Sequence, residues 1–92
     1  MIEVSPIGNW TGVLVRLGNA DMIVIVAAKG FVGCGYFSVE TAEKVGDALA
    51  VVRGVSSFEE VLKAKVSEVS SKAKKLGVRA GMSGMQALEL LS

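Results

Sequence analysis

The spacing of apolar residues along the chain changes near residue 38. Before it, short β-branched runs are separated by polar turns; after it, apolar residues recur at helical spacing. Ile2–Ile7 and Trp10–Leu17 flank Gly8-Asn9, a two-residue hairpin signal in which both residues tolerate positive φ. The polar stretch Gly18-Asn19-Ala20-Asp21 leads into Met22–Ala28, and Lys29-Gly30 turns the chain into Phe31–Tyr36. This pattern predicts an antiparallel meander of four strands. Val39, Ala42, Val45, Gly46 and Leu49 then step as one face of a helix, with Ser38 as its N-cap. Leu49–Val55 is β-branched again, so residues 31–55 read as strand, helix, strand, with the two strands parallel if adjacent.

Three short helices are expected to follow. Ser57-Phe58-Glu59-Glu60 has a hydroxyl at N-cap and a carboxylate at N3, and opens a helix of about two turns through Lys63. Leu62, Val66, Val69, Ala73 and Leu76 step by four and three, which predicts a helix over Lys65–Leu76 ended by Gly77. Ser83-Gly84-Met85-Gln86 repeats the capping pattern before Met85, Leu88 and Leu91. The fold class read from the pattern is α+β. It is a four-strand meander extended by a β-α-β unit and followed by helices, in a single domain over residues 1–92.

Met22–Ala28 departs from the alternation expected of a half-exposed strand. Met22, Ile23, Val24, Ile25 and Val26 offer water nothing on either face. A chain of 92 residues has one modest core and covers one face of a sheet more easily than both. A second copy is the expected cover, so residues 1–36 read as the oligomerisation region and 37–92 as mainly helical with one further strand. A charge at Val24 or Ile25 is expected to break such an assembly.

Composition narrows the chemistry. The chain has no histidine, which removes the commonest general base and zinc ligand and every Ser-His-Asp or Cys-His arrangement. No metal or cofactor is expected, and no reaction is assigned. One cysteine allows no internal disulfide and points to a reducing, cytoplasmic setting. No apolar run approaches the length of about 20 residues that spans a bilayer. Ten basic and nine acidic residues give no global field for nucleic acid. Lys63, Lys65, Lys72, Lys74, Lys75 and Arg79 do cluster, but no aromatic residue stands among them to stack a base. They read as a solvated helix face with Glu68 pairing Lys65 and Lys72.

One candidate site remains. Cys34 sits between Gly33 and Gly35 near a strand end, shortly before the helix capped by Ser38, and Arg53 lies near the end of the next strand. The thiol and Gly35 there, with Arg53 and the N-terminus of the helix beginning at Ser38, suit a small anionic ligand or a thiol-dependent enzyme at the carboxyl ends of parallel strands. The competing and favoured reading makes Cys34 a small core residue. Gly33 and Gly35, on the opposite face, then mark close packing of protein against protein.

The ordered set Lys29-Gly30-Phe31-Val32-Gly33-Cys34-Gly35-Tyr36, Glu40-Thr41, Arg53-Gly54-Val55, Leu76-Gly77-Val78 and Gly81-Met82-Ser83-Gly84 with Ala87-Leu88 resembles the YunC-like proteins. These are small bacterial and archaeal proteins grouped under a domain of unknown function. The resemblance implies an N-terminal β region that mediates tetramer formation, with helices behind it. It supplies no activity and hence no catalytic residue.

Overall fold

The computed structural model describes residues 1–92. The chain forms one mixed sheet in the order β1-β2-β3-β4-β5-β6. Its strands are β1 (Ile2–Ile7), β2 (Trp10–Arg16), β3 (Asp21–Val26), β4 (Phe31–Gly33), β5 (Leu49–Val52) and β6 (Val66–Val69). Four helices accompany it: α1 (Val39–Val45), α2 (Phe58–Lys63), α3 (Ser71–Lys75) and α4 (Gly84–Leu90). The expected meander is present, and β4 and β5 pair in parallel across α1. Gly8 alone takes positive φ in the first hairpin, so the turn uses one left-handed residue rather than two.

The capping signals place the helices. Ser38, Ser57 and Ser83 each accept a backbone N–H three residues on. The reciprocal box closes at Ser83 and Gln86. At α2 the carboxylate of Glu60 instead accepts from the amide and hydroxyl of Ser56.

The helix expected over Lys65–Leu76 is a strand followed by a shorter helix. Val66–Val69 pairs antiparallel with β5, with a register shift between Val51 and Val52. The irregularity lets Val66 and Val69 pack against one core although three residues apart, which mimics a helical step. Ser70 then caps α3 through Ala73 N–H, and its buried hydroxyl accepts from Leu49 N–H and donates to Asp47 C=O. Gly77 follows with φ 100°; Gly77 and Val78 N–H return to Lys74 and Ala73 C=O. That pattern is a Schellman stop, so the expected terminator holds although the helix begins later.

The sheet's two faces are covered unequally. On the inner face Leu14, Ile23, Ile25, Val32, Ala50 and Val52 share one buried cluster with Val61 of α2, Leu88 of α4 and Leu91 at its C-cap. Met85, expected beside them, is exposed. On the outer face a smaller cluster of Ala42, Leu49 and Val51, flanked by Phe31, Phe37 and Val39, lies over β4 and β5. This outer cover stops at β3.

Candidate functional site

Strand pairing sets out the open part of the outer face. Ile2 pairs with Val15 and Val15 with Met22; Val4 pairs with Val13 and Val13 with Val24; Pro6 pairs with Thr11 and Thr11 with Val26. Pleating sends all of these side chains to one side. Ile2 is 68%, Val4 64% and Val26 42% exposed, while Val13, Val15 and Met22 are half-buried. Contiguous apolar surface of this kind, with no charge within it, marks an interaction site more often than a solvated sheet.

The expected interface Met22–Val26 is therefore narrowed by alternation. Ile23 and Ile25 are wholly buried in the chain's own core and cannot face a second copy. Met22, Val24 and Val26 lie on the outer face. Val24 is only 8% exposed, and its partner Gly33 lies beneath the Phe37 ring. The larger opening lies over β1 and β2, where Ile2, Val4, Val13 and Val15 add to the patch. The signal for them was available: Ile2, Val4 and Pro6 alternate with Glu3 and Ser5 along β1.

The Cys34 region lies at the carboxyl ends of β4 and β5. A shallow cleft of about 330 Å³ is lined there by Ala20, Asp21, Cys34, Gly35, Tyr36, Gly54 and Val55. Cys34 is 5% exposed; its sulfur accepts from Ile23 N–H at 3.4 Å and lies 3.9 Å from Asp21 C=O. Gly35 is adjacent to Arg53: a Cβ on Gly35 would lie 3.0 Å from Nη1 of that guanidinium. The Phe37 ring likewise occupies the space over Gly33, so both glycines serve close approach of side chains from the same chain.

Arg53 is already engaged. Its Nη2 donates to Glu68 Oε2 of β6 at 2.8 Å, a pair between half-exposed side chains and so of modest strength. Ser38 is elsewhere: its hydroxyl caps α1, and it lines a separate depression with Phe31, Phe37 and Thr41. The structure thus sets Cys34 and Gly35 on one cleft and Arg53 against Gly35, outside the cleft lining, and leaves Ser38 apart. Sequence reasoning missed Asp21, which reaches the cleft only through strand pairing; Tyr36 reaches it as the second residue after Cys34. Asp21 is held by Arg16 at 2.8 Å.

The basic segment is not one helix face. Lys65 precedes β6, whereas Lys72, Lys74 and Lys75 lie on α3. Glu68, expected to pair with Lys65 and Lys72, pairs with Arg53 instead, and Lys63 pairs with Glu59. Hydrogen bonds from the Ser71 hydroxyl and amide hold the Glu43 carboxyl below the usual carboxylate range, with Lys74 and Lys75 adding to the effect. No group of three or more Cys, Asp or Glu side chains is arranged to hold a metal ion. No helix is long and apolar enough to cross a membrane.

Comparison with known proteins places this geometry. A protein of unknown function from Thermoplasma acidophilum, TA1206, superposes with a TM-score of 0.90 at 35% identity, over 100% of this chain and 92% of that one. The uncharacterised protein YunC of Bacillus subtilis is 30% identical over 92 residues, covering 96% of this chain and 88% of YunC. Residues 33–91, from the end of β4 through α4, match the family model described as Domain of unknown function (DUF1805). With well over half of its length matched and a relative aligned almost end to end, the chain belongs to the DUF1805 family.

Proposed function

We propose that this chain is a self-assembling domain with a binding or scaffolding role, built as a homo-oligomer on the outer face of β1–β3. The observation that carries the reading is the three-row apolar patch from Ile2 to Val26, left open while the rest of the same face is covered by α1 and Phe37. Removing such a patch from water is favourable at about 25 cal/mol per Å². The resemblance to YunC-like proteins makes a tetramer the expected assembly. Light scattering coupled to size exclusion tests it, the expected mass being four chains. A single-chain mass at micromolar concentration defeats it. Val13→Lys puts an ammonium at the centre of the patch while leaving the inner core untouched. It is expected to lower the mass and keep the wild-type circular dichroism spectrum.

A second reading is an anionic-ligand site or thiol-dependent enzyme at the cleft lined by Cys34 and Gly35, with Arg53 beside Gly35. Its support is position, at the carboxyl ends of a parallel strand pair. The burial of Cys34 and its contact with Ile23 N–H favour the first reading. Iodoacetamide is accordingly expected to modify Cys34 at least about tenfold more slowly in the folded protein than in urea, since reactive cysteines are accessible ones. Equal rates, or rapid modification at pH 6, would favour the cleft.

A further inference from the structure

The outer edge of β1 is a second assembly surface, distinct from the patch. Arg16 N–H donates to Met1 C=O, so Met1 and Arg16 form a hydrogen-bonded pair. Along an antiparallel ladder such pairs recur every second residue, which turns the amides and carbonyls of Glu3, Ser5 and Ile7 toward β2. Those of Ile2 and Val4, and the carbonyl of Pro6, point away from the sheet. Pro6 has no N–H to lose at an outward position, so it fits the strand without breaking the β1–β2 ladder. The edge stands open, with Ile2 and Val4 the most exposed members of the apolar rows.

We propose that β1 pairs antiparallel with β1 of a second copy, about a two-fold axis at Val4. Three registers about residues of this strand can be compared. Centring on Glu3 sets Glu3 directly against Glu3 of the other copy, and like charges so placed repel. Centring on Ser5 aligns Pro6 with Val4 and loses bonds for want of the proline N–H. Centring on Val4 joins each Val4 amide to the other Val4 carbonyl, and each Ile2 amide to the other Pro6 carbonyl. It also sets Glu3 opposite Ser5 of the second copy, a carboxylate against a hydroxyl donor. Within one chain the same two side chains already bond, Ser5 Oγ to Glu3 Oε2 at 3.2 Å.

The pairing deepens the proposed function and rests on its reading of the chain as self-assembling, but uses another surface. It also narrows a shortfall of area. Three strands spaced about 4.8 Å apart and about 20 Å long cover on the order of 300 Å². A standard stable interface buries about 800 Å² per partner. Edge pairing continues the apolar rows across both copies and doubles the face that another such pair can cover. Four chains then assemble through one edge contact type and one face contact type.

Val4→Pro tests it, because it removes an outward amide and, like Pro6, none of the β1–β2 bonds. The expected result in light scattering is a halved mass with the fold retained. Val4→Thr keeps the amide and is expected to keep the wild-type mass. An unchanged mass for Val4→Pro, or an equal fall for both variants, overturns the edge pairing; Pro6 and Glu3 are then guards that keep the edge unpaired. Val13→Lys reports separately on the face, so halving by Val4→Pro alone refutes the face and spares the edge, and halving by Val13→Lys alone does the reverse. Hydrogen exchange on the wild-type protein decides the matter should Val4→Pro fail to fold. Protected Ile2 and Val4 amides are expected, and exchange at the free-peptide rate overturns the proposal.

Discussion

Ile25→Lys is expected to unfold the domain rather than dissociate it. Ile25 is wholly buried between β2 and β4, in the same cluster as Val61, Leu88 and Leu91. Truncating such a residue costs about 2–5 kcal/mol in lost contacts and cavity. An unpaired ammonium in its place adds several kcal/mol more. Together these are comparable with the total stability of about 5–15 kcal/mol typical of a domain. Circular dichroism and a urea titration are the measurements. A folded Ile25→Lys protein with the wild-type midpoint would show that the inner face is not the core. The contrast with Val13→Lys is informative because Val13 pairs with Val24, next to Ile25 in β3, on the opposite side of the sheet. A one-position change of facing separates loss of fold from loss of assembly.

Gly84→Ala is expected to be the most damaging exchange of a glycine for alanine. Gly84 opens α4, and its N–H donates to Ala64 C=O just after α2. A Cβ there would fall inside the van der Waals envelope of the Val61 carbonyl, which belongs to the backbone of α2. Neither partner has a side chain to rotate aside, so α2 and α4 must move apart over a core that includes Val61, Ala87 and Leu88. Overpacking of this kind costs about 1–3 kcal/mol and occasionally more, and contact with backbone places this case at the upper end. The gain in helix propensity, about 1 kcal/mol, works the other way and does not offset it. Gly18→Ala is the control: no atom lies within 4 Å of its Cβ position and its φ is not positive. It is expected to be neutral or stabilising by under about 1 kcal/mol. Equal urea midpoints for the two variants would contradict the packing of α2 against α4.

Much of this architecture can be read locally. Serine caps at Ser38, Ser57 and Ser83, the turn at Gly8 and the stop at Gly77 are short-range events. Their residues satisfy orphan amides or adopt positive φ whatever lies beyond, so they place the meander, the β-α-β unit and the helix starts. The stripe from Leu62 to Leu76 misleads for an equally physical reason. A β-bulge lets two valines three residues apart face one core, which reproduces a helical step. Only the unfilled edge of β5, invisible along the chain, distinguishes the two outcomes.

The amino-acid order alone determined that Met22–Val26 is a strand too apolar for water and that a thiol lies between two glycines near a strand end. Which of those strand residues a second copy can reach was settled by the tertiary fold. α2 and α4 bury Ile23 and Ile25, Phe37 covers Gly33 beside Val24, and the uncovered surface passes to β1 and β2. The same holds for the candidate ligand site, where Arg53 reaches Gly35 and Glu68 beside the cleft and Ser38 does not join them. Local propensity governs what each segment becomes. What covers a face depends on residues distant in sequence, and those are brought together only when the chain folds.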